Sequence, residues 1–273
     1  MIDKLDNTAK SGDIEGMKPQ EFIRLSERSY FGGKGGSGTY QTIINQLPKH
    51  LTYVSGFLGL DAILRLKVPA RFNIGVEINP DITAIWKAAT FPQKDIAPPQ
   101  LAILQQSFFT IDLPCFYQAS TLLYLDPPYT LPERKSSNRY PFEITMQQHR
   151  QLLERVVQLP CMVAISCYDN DLYKEYLKDW RKISFEVITR GGTMATETLY
   201  MNYPAVAPNQ LHDTRFLGSN YRKREVTKKR LNTIYGKIER LTDSEKAMLF
   251  EELKIIYPLQ FTKGTTAITN GTR

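Results

Sequence analysis

The chain has 273 residues, 42% of them apolar, which is enough for the core of one large domain and excludes a chain disordered throughout. Its formal charge of +7 and pI near 9.2 favour a polyanionic partner. Cys115, Cys161 and Cys167 fall at no metal-binding spacing and form no even disulfide set, so they read as thiols in a reducing compartment. His50, His149 and His212 lie far apart, and no metal site is expected. No signal-peptide pattern and no apolar run of membrane-spanning length is present, so a cytoplasmic protein without membrane contact is expected.

Residues 1–28 are polar and read as a loosely held N-terminal arm. A glycine-dense loop follows at 32–38, then a helix over 39–47 with Ile43, Ile44 and Leu47 inward and Pro48 as its stop. Strands and helices then alternate. Strand 51–55 leads through a turn at 56–59 to a helix ending at Leu66. Strand 72–78 leads to a helix near 80–88. A short strand is expected within 101–109, and a buried one over 122–126. Helix 145–159, strand 161–166, helix 171–180 and two late strands near 183–188 and 197–202 complete the series. This order predicts a doubly wound α/β domain over 29–207 that ends in a β-hairpin.

Composition changes after Pro208. Between Gln210 and Arg240 nine Lys/Arg stand against three Asp/Glu, and Val226, Leu231, Ile234, Ile238 and Leu241 recur at helical spacing. Thr242 and Glu245 form a capping box for a further helix ending before Pro258. Residues 208–262 are thus expected to form a basic helical extension, and 263–273 a flexible tail.

The most informative segment is Asp126-Pro127-Pro128-Tyr129, at the C-terminal end of the run Leu122-Leu123-Tyr124-Leu125. Ligands of open α/β sheets sit outside such strand ends. An acid, two prolines and an aromatic ring there make a rigid, hydrogen-bond-accepting corner with a π face, suited to a planar molecule carrying an exocyclic amine. A plain Pro-Pro turn is the structural alternative.

Four other features bear on that choice. The turn Ser55-Gly56-Phe57-Leu58-Gly59 followed by Glu77 can let backbone approach a cofactor whose ribose the acid binds, although Gly59 can equally serve strand–helix packing. The 32–38 loop with Lys34 lacks the spacing of a phosphate-binding loop, but could present N–H groups and a point charge to an anion; a linker is the alternative. The loop with Arg134, Lys135, Ser136, Asn138 and Tyr140 suits a nucleic-acid strand with an extruded base, or is simply solvated. Arg222, Lys223, Arg224, Lys228, Lys229 and Arg230 form a locally unbalanced basic helix able to grip a phosphate backbone.

Taken in this order, the pieces resemble the Dam-like family of adenine-N6 DNA methyltransferases, particularly its short phage and prophage forms, from about Tyr30 to Leu241. Tyr30-Phe31-Gly32-Gly33-Lys34 is similar to the family's Gly-Gly-Lys motif, Tyr53 to Gly59 to its cofactor turn, Glu77-Ile78-Asn79 to the acid on its second strand, Asp126 to Tyr129 to its catalytic motif, and Glu197 to Tyr203 to its late strand beside the target base. Leu211-His212-Asp213, Phe216-Leu217-Gly218 and the basic helix also resemble the short forms.

The resemblance implies a Rossmann-like fold and S-adenosyl-L-methionine (AdoMet) as cofactor. Tyr30, Gly33, Lys34, Phe57, Gly59, Glu77, Ile78, Ser107, Phe108 and Asp126 would bind it. Catalysis would rest with Asp126, Pro127, Pro128 and Tyr129, acting on double-stranded DNA with a flipped target base. Such enzymes leave room for a cognate restriction endonuclease as partner. Cytosine N4, an RNA base, or a degenerate protein that only binds nucleic acid are the alternatives.

The chain also departs from the family. The family turn reads Glu-Pro-Phe-x-Gly-x-Gly, whereas Ser55, Gly56 and Asp61 stand here for the acid, the proline and the last glycine, and Ser107 stands where an acid near the adenine is expected. Only 66 residues separate Gly59 from Asp126, too few for the recognition insert of the longer members.

Overall fold

The computed structural model describes residues 34–35, 38–89, 99–129, 142–188, 192, 194–218 and 221–258. Fourteen principal elements follow in order: α1 (Thr39–Ile44), β1 (Thr52–Ser55), α2 (Ala62–Leu66), β2 (Phe72–Glu77), α3 (Pro80–Ala89), β3 (Gln100–Gln105), β4 (Thr121–Leu125), α4 (Met146–Val156), β5 (Met162–Cys167), α5 (Asp171–Tyr176), β6 (Arg181–Ile188), β7 (Met194–Met201), α6 (Tyr221–Glu239) and α7 (Asp243–Ile256). The elements expected between residues 39 and 258 are present, with ends shifted by a few residues.

The seven strands form one sheet in the order β3-β2-β1-β4-β5-β7-β6. The first five are parallel; β7 runs antiparallel to β5 and pairs with β6 as the expected hairpin. The expected doubly wound α/β class is therefore the observed one. Strands β1, β4 and β5 are buried on both faces, in keeping with the near-continuous apolar runs of β4 and β5. On β1, Tyr53 packs with Leu122, Tyr124, Ile63 and Trp86 on one side of the sheet, while Val54 packs with Leu123, Leu125, Leu153 and Val163 on the other.

Local sequence sets the helix starts. Asp61 caps α2, its Oδ1 accepting from the N–H groups of Ile63 at 2.7 Å and Leu64 at 3.2 Å. Thr145 with Gln148 and Thr242 with Glu245 form reciprocal capping boxes at α4 and α7, the second as expected. Among residues 222–258 none is buried, and Leu231, Ile234, Met248 and Ile255 are exposed. No helix among the described residues is long and apolar enough to cross a membrane.

Candidate active site

The chain leaves β1 toward one edge of the sheet and β4 toward the other, while the two strands lie side by side with Ser55 level with Tyr124. Strand ends that diverge in this way open a crevice between their connecting loops. A cavity of about 320 Å³ occupies it, walled by the turn after β1, Glu77 and Ile78 at the end of β2, Ser107 and Phe108 after β3, and Asp126 to Tyr129 after β4.

Backbone bonds fix the turn. Gly59 sits at φ 44°, a left-handed conformation natural to glycine. Its N–H donates to Glu77 Oε2 at 2.7 Å, and its carbonyl accepts from the Trp86 indole at 2.6 Å. Asn79 N–H donates to Glu77 Oε1 at 2.8 Å, so both carboxylate oxygens are held while keeping lone pairs for a ligand hydroxyl. Burial pushes the Glu77 carboxyl upward, and its backbone donors pull it back.

Gly56, where the resembling family has proline, is set by packing. A Cβ there would lie 2.4 Å from Leu125 Cδ2 and 2.8 Å from the Phe108 ring. Gly56→Ala is expected to cost about 1–3 kcal/mol in stability by overpacking. It should also shift Phe108 out of the cavity wall. Denaturant titration and calorimetry on the variant check both effects.

The corner after β4 is organised by Lys34. This nearly buried ammonium lies 2.9 Å from Asp126 Oδ1 and 3.4 Å from Glu197 Oε1, and donates to the Tyr129 hydroxyl at 2.6 Å. It also sits 4.8 Å from the centre of the Tyr129 ring. The Tyr129 ring leans on Tyr168 at 4.5 Å between centroids, which fixes its face. Burial raises Asp126 to about 6, Lys34 opposes that rise, and Glu197 adds to it. Two carboxylates thus share one cation in a low-dielectric pocket. Burial raises all three cysteines as well, Cys115 and Cys161 to about 11, so the thiols are not poised as nucleophiles.

Of the expected site residues, Lys34, Phe57, Gly59, Glu77, Ile78, Ser107, Phe108 and Asp126 to Tyr129 all line the one cavity. Tyr30 and Gly33 lie outside the described residues, as do Arg134, Lys135, Ser136, Asn138 and Tyr140. The basic residues expected to meet nucleic acid lie on α6, and Arg222, Lys223, Lys228, Lys229 and Arg230 are exposed. Arg224 is half-buried and donates to the Gly218 carbonyl at 3.3 Å.

Three contributors went unrecognised in the sequence. Asp61 enters the cavity wall. Glu197 reaches the Lys34 ammonium from β7. Arg155, on α4, donates to the carbonyls of Phe108 and Ile111 and stacks on the Phe108 ring, fixing the loop that carries the cavity wall. The Asp61 capping position just before an apolar helical run was the one local signal available.

Neither a protein-family model nor a curated protein sequence matches the chain. Solved structures with a similar backbone include an rRNA methylase from Streptococcus thermophilus (TM-score 0.40, 10% identity, covering 59% of this chain and 93% of that one). They also include a SAM-dependent methyltransferase from Methanosarcina mazei (0.40, 10%, 59% and 95%). A third is magnesium protoporphyrin IX methyltransferase from Synechocystis with bound SAM (0.39, 11%, 60% and 75%).

Proposed function

We propose that the chain is an AdoMet-dependent methyltransferase acting on N6 of adenine in DNA. The observation that carries this reading is the corner itself. Asp126 and Tyr129 stand together at the cavity's edge, at the sheet's switch point, tied by one buried lysine.

The cavity's chemistry fits the cofactor. Asp61, Glu77, Asp126 and Glu143 outnumber Lys34 on its walls, which favours a ligand of net positive charge. Ile78, 45% exposed at the cavity, and Phe108 offer apolar surface for a planar ring. Glu77 is held as an acceptor for sugar hydroxyls. AdoMet would supply a methyl group activated on a sulfonium.

The chain's own residues position the amine. An adenine amine is stacked and paired inside a duplex, so the base must be extruded to reach the corner. Tyr129 offers its ring for stacking. The Asp126 carboxylate and the Pro127 carbonyl accept the two N6–H bonds, which draws the nitrogen lone pair out of conjugation and aims it at the methyl carbon. Transfer is then an in-line displacement that needs orientation and charge stabilisation rather than a covalent nucleophile. Methyl transfer from sulfur to nitrogen would leave the amine cationic, and Asp126 or solvent would take the one proton it gives up. Asp126 must be ionised to accept those bonds. Methyl transfer is therefore expected to fall as pH drops through about 6, the value burial gives this carboxyl. A pH–rate profile between 5 and 8 checks it.

The exposed basic face of α6 supports a polyanionic substrate, gripped without regard to sequence. Calorimetry tests the cofactor half of the proposal. AdoMet should bind with a stoichiometry of about one per chain. Salt-sensitive binding of duplex DNA without any AdoMet binding would replace the enzyme by a nucleic-acid-binding protein.

A further inference from the structure

Helices gain most of their stability from packing an apolar face, yet α6 and α7 bury nothing among residues 222–258. Ile238, Leu249 and Leu253 are half-buried. Leu231, Ile234, Met248 and Ile255 are exposed, Met248 by 73% and Ile255 by 79%. Apolar side chains exposed along two successive helices mark a contact surface rather than scattered exposure.

The two helices carry opposite charge. Helix α6 has seven Lys/Arg against two Asp/Glu, and α7 has two against four. The charges border the apolar residues. On α6, Leu231, Ile234 and Ile238 recur at steps of three and four and share one face, with Arg230 and Lys237 along one border and Lys228 on the other. On α7, Met248 and Ile255 lie two turns apart on one face, and Glu251 and Glu252 flank the line between them. Among the described residues no ion pair joins the two helices. Lys246 and Lys254 pair within α7, with Asp243 at 3.7 Å and Glu251 at 2.6 Å, as exposed pairs that exchange easily.

We propose that this surface is an interface between two copies of the chain, with α6 of each copy laid against α7 of the other. An apolar face bordered by bases needs one bordered by acids, and each chain carries one of each. A two-fold axis satisfies both pairings at once. Nucleic acid would match the charge of α6 alone, leaving the apolar residues in water and meeting Glu251 and Glu252 with like charge. The four helices form a bundle with an apolar centre and a charged rim. Arg222 and Lys229, seven residues apart on the opposite side of α6, stay outward, where a polyanion can reach them.

Analytical ultracentrifugation without nucleic acid, from about 1 to 100 µM, tests the interface. The wild type should move toward twice the 31.3 kDa of one chain as concentration rises, and no further. Ile234→Glu with Ile255→Glu puts an acid into both apolar faces and should weaken association about tenfold or more. Both residues are exposed, and circular dichroism checks that the variant still folds. Two charge reversals test the pairing itself. Glu251→Lys with Glu252→Lys sets bases against bases, and Arg230→Glu with Lys237→Glu sets acids against acids. Each reversed protein alone should associate weakly, and a mixture of the two should recover a dimer holding one copy of each. A monomer at every concentration, as when another segment of the same chain covers the surface, would overturn the proposal. So would dimers that form only on adding nucleic acid, assembly beyond two copies, a dimer untouched by the two glutamates, or reversed proteins that do not recover when mixed.

Discussion

Asp126→Asn is expected to abolish methyl transfer and to leave the protein more stable than the wild type at pH 8. Both effects come from one buried carboxyl. Its charge is what accepts the amine protons, so asparagine, which presents an amide nitrogen as well as an oxygen, loses the orienting interaction. Its charge also costs the fold. The folded-state value is raised from 3.8 to about 6 by burial, so the neutral form is favoured in the folded chain. The sign follows from that rise. The stability tied to the neutral carboxyl is fully present below about pH 4 and is lost as pH climbs through about 6. Above that the wild type carries a penalty of at most about 3 kcal/mol, which asparagine removes. Lys34 keeps Glu197 as its anion in the variant. Thermal unfolding at pH 5 and pH 8 checks this, with the larger gain expected at pH 8. A loss of stability at pH 8 would contradict it.

Lys34→Met should act in the opposite direction. It removes the cation that Asp126 and Glu197 share, leaving two acids near each other, one of them with a buried carboxylate oxygen, Glu197 Oε2, that finds no hydrogen-bond partner among the described residues. Breaking a buried ion pair from one side costs about 3–5 kcal/mol, because the stranded charge stays buried. The cost should shrink at acid pH, where the acids take up protons instead. Methyl transfer should be lost as well, since the Tyr129 hydroxyl and the Asp126 carboxylate lose the ammonium that fixes them. Adding Asp126→Asn to Lys34→Met should recover part of the stability. A double-mutant cycle by denaturant titration measures that coupling. Strict additivity at neutral pH would show that the three charges do not act as one unit.

The sheet was legible because β4 and β5 are buried on both faces, which writes them as near-continuous apolar runs, and because glycine and proline punctuate the segments between strands. Strand β3 was the least defined. It is only half-buried, so its pattern carries little contrast. The corner at Asp126 and the turn at Gly59 were legible as local strings.

What sequence could not supply was partnership across the sheet. Lys34 and Glu197 are 163 positions apart, and only the neighbouring of β4, β5 and β7 brings the late strand to the corner. Arg155 was invisible for a similar reason, because its partners are backbone carbonyls more than 40 residues away. Asp61 looked like a departure in the turn, because a sequence shows which residue is missing from a position but not that the side chain standing there caps α2 on the cavity wall.

The corner was an even choice between a stiff Pro-Pro turn and an amine-binding site when its four residues stood alone. Lys34 lies against both Asp126 and Tyr129, and that buried charge and fixed ring are what the proposed amine-binding reading rests on. The most direct measurement is nucleoside mass spectrometry of duplex DNA and of RNA after incubation with methyl-labelled AdoMet. Labelled N6-methyladenine from DNA with the wild type, and none with Asp126→Ala, is the predicted result. Label on cytosine N4, label in RNA alone, or transfer undiminished in Asp126→Ala would contradict it.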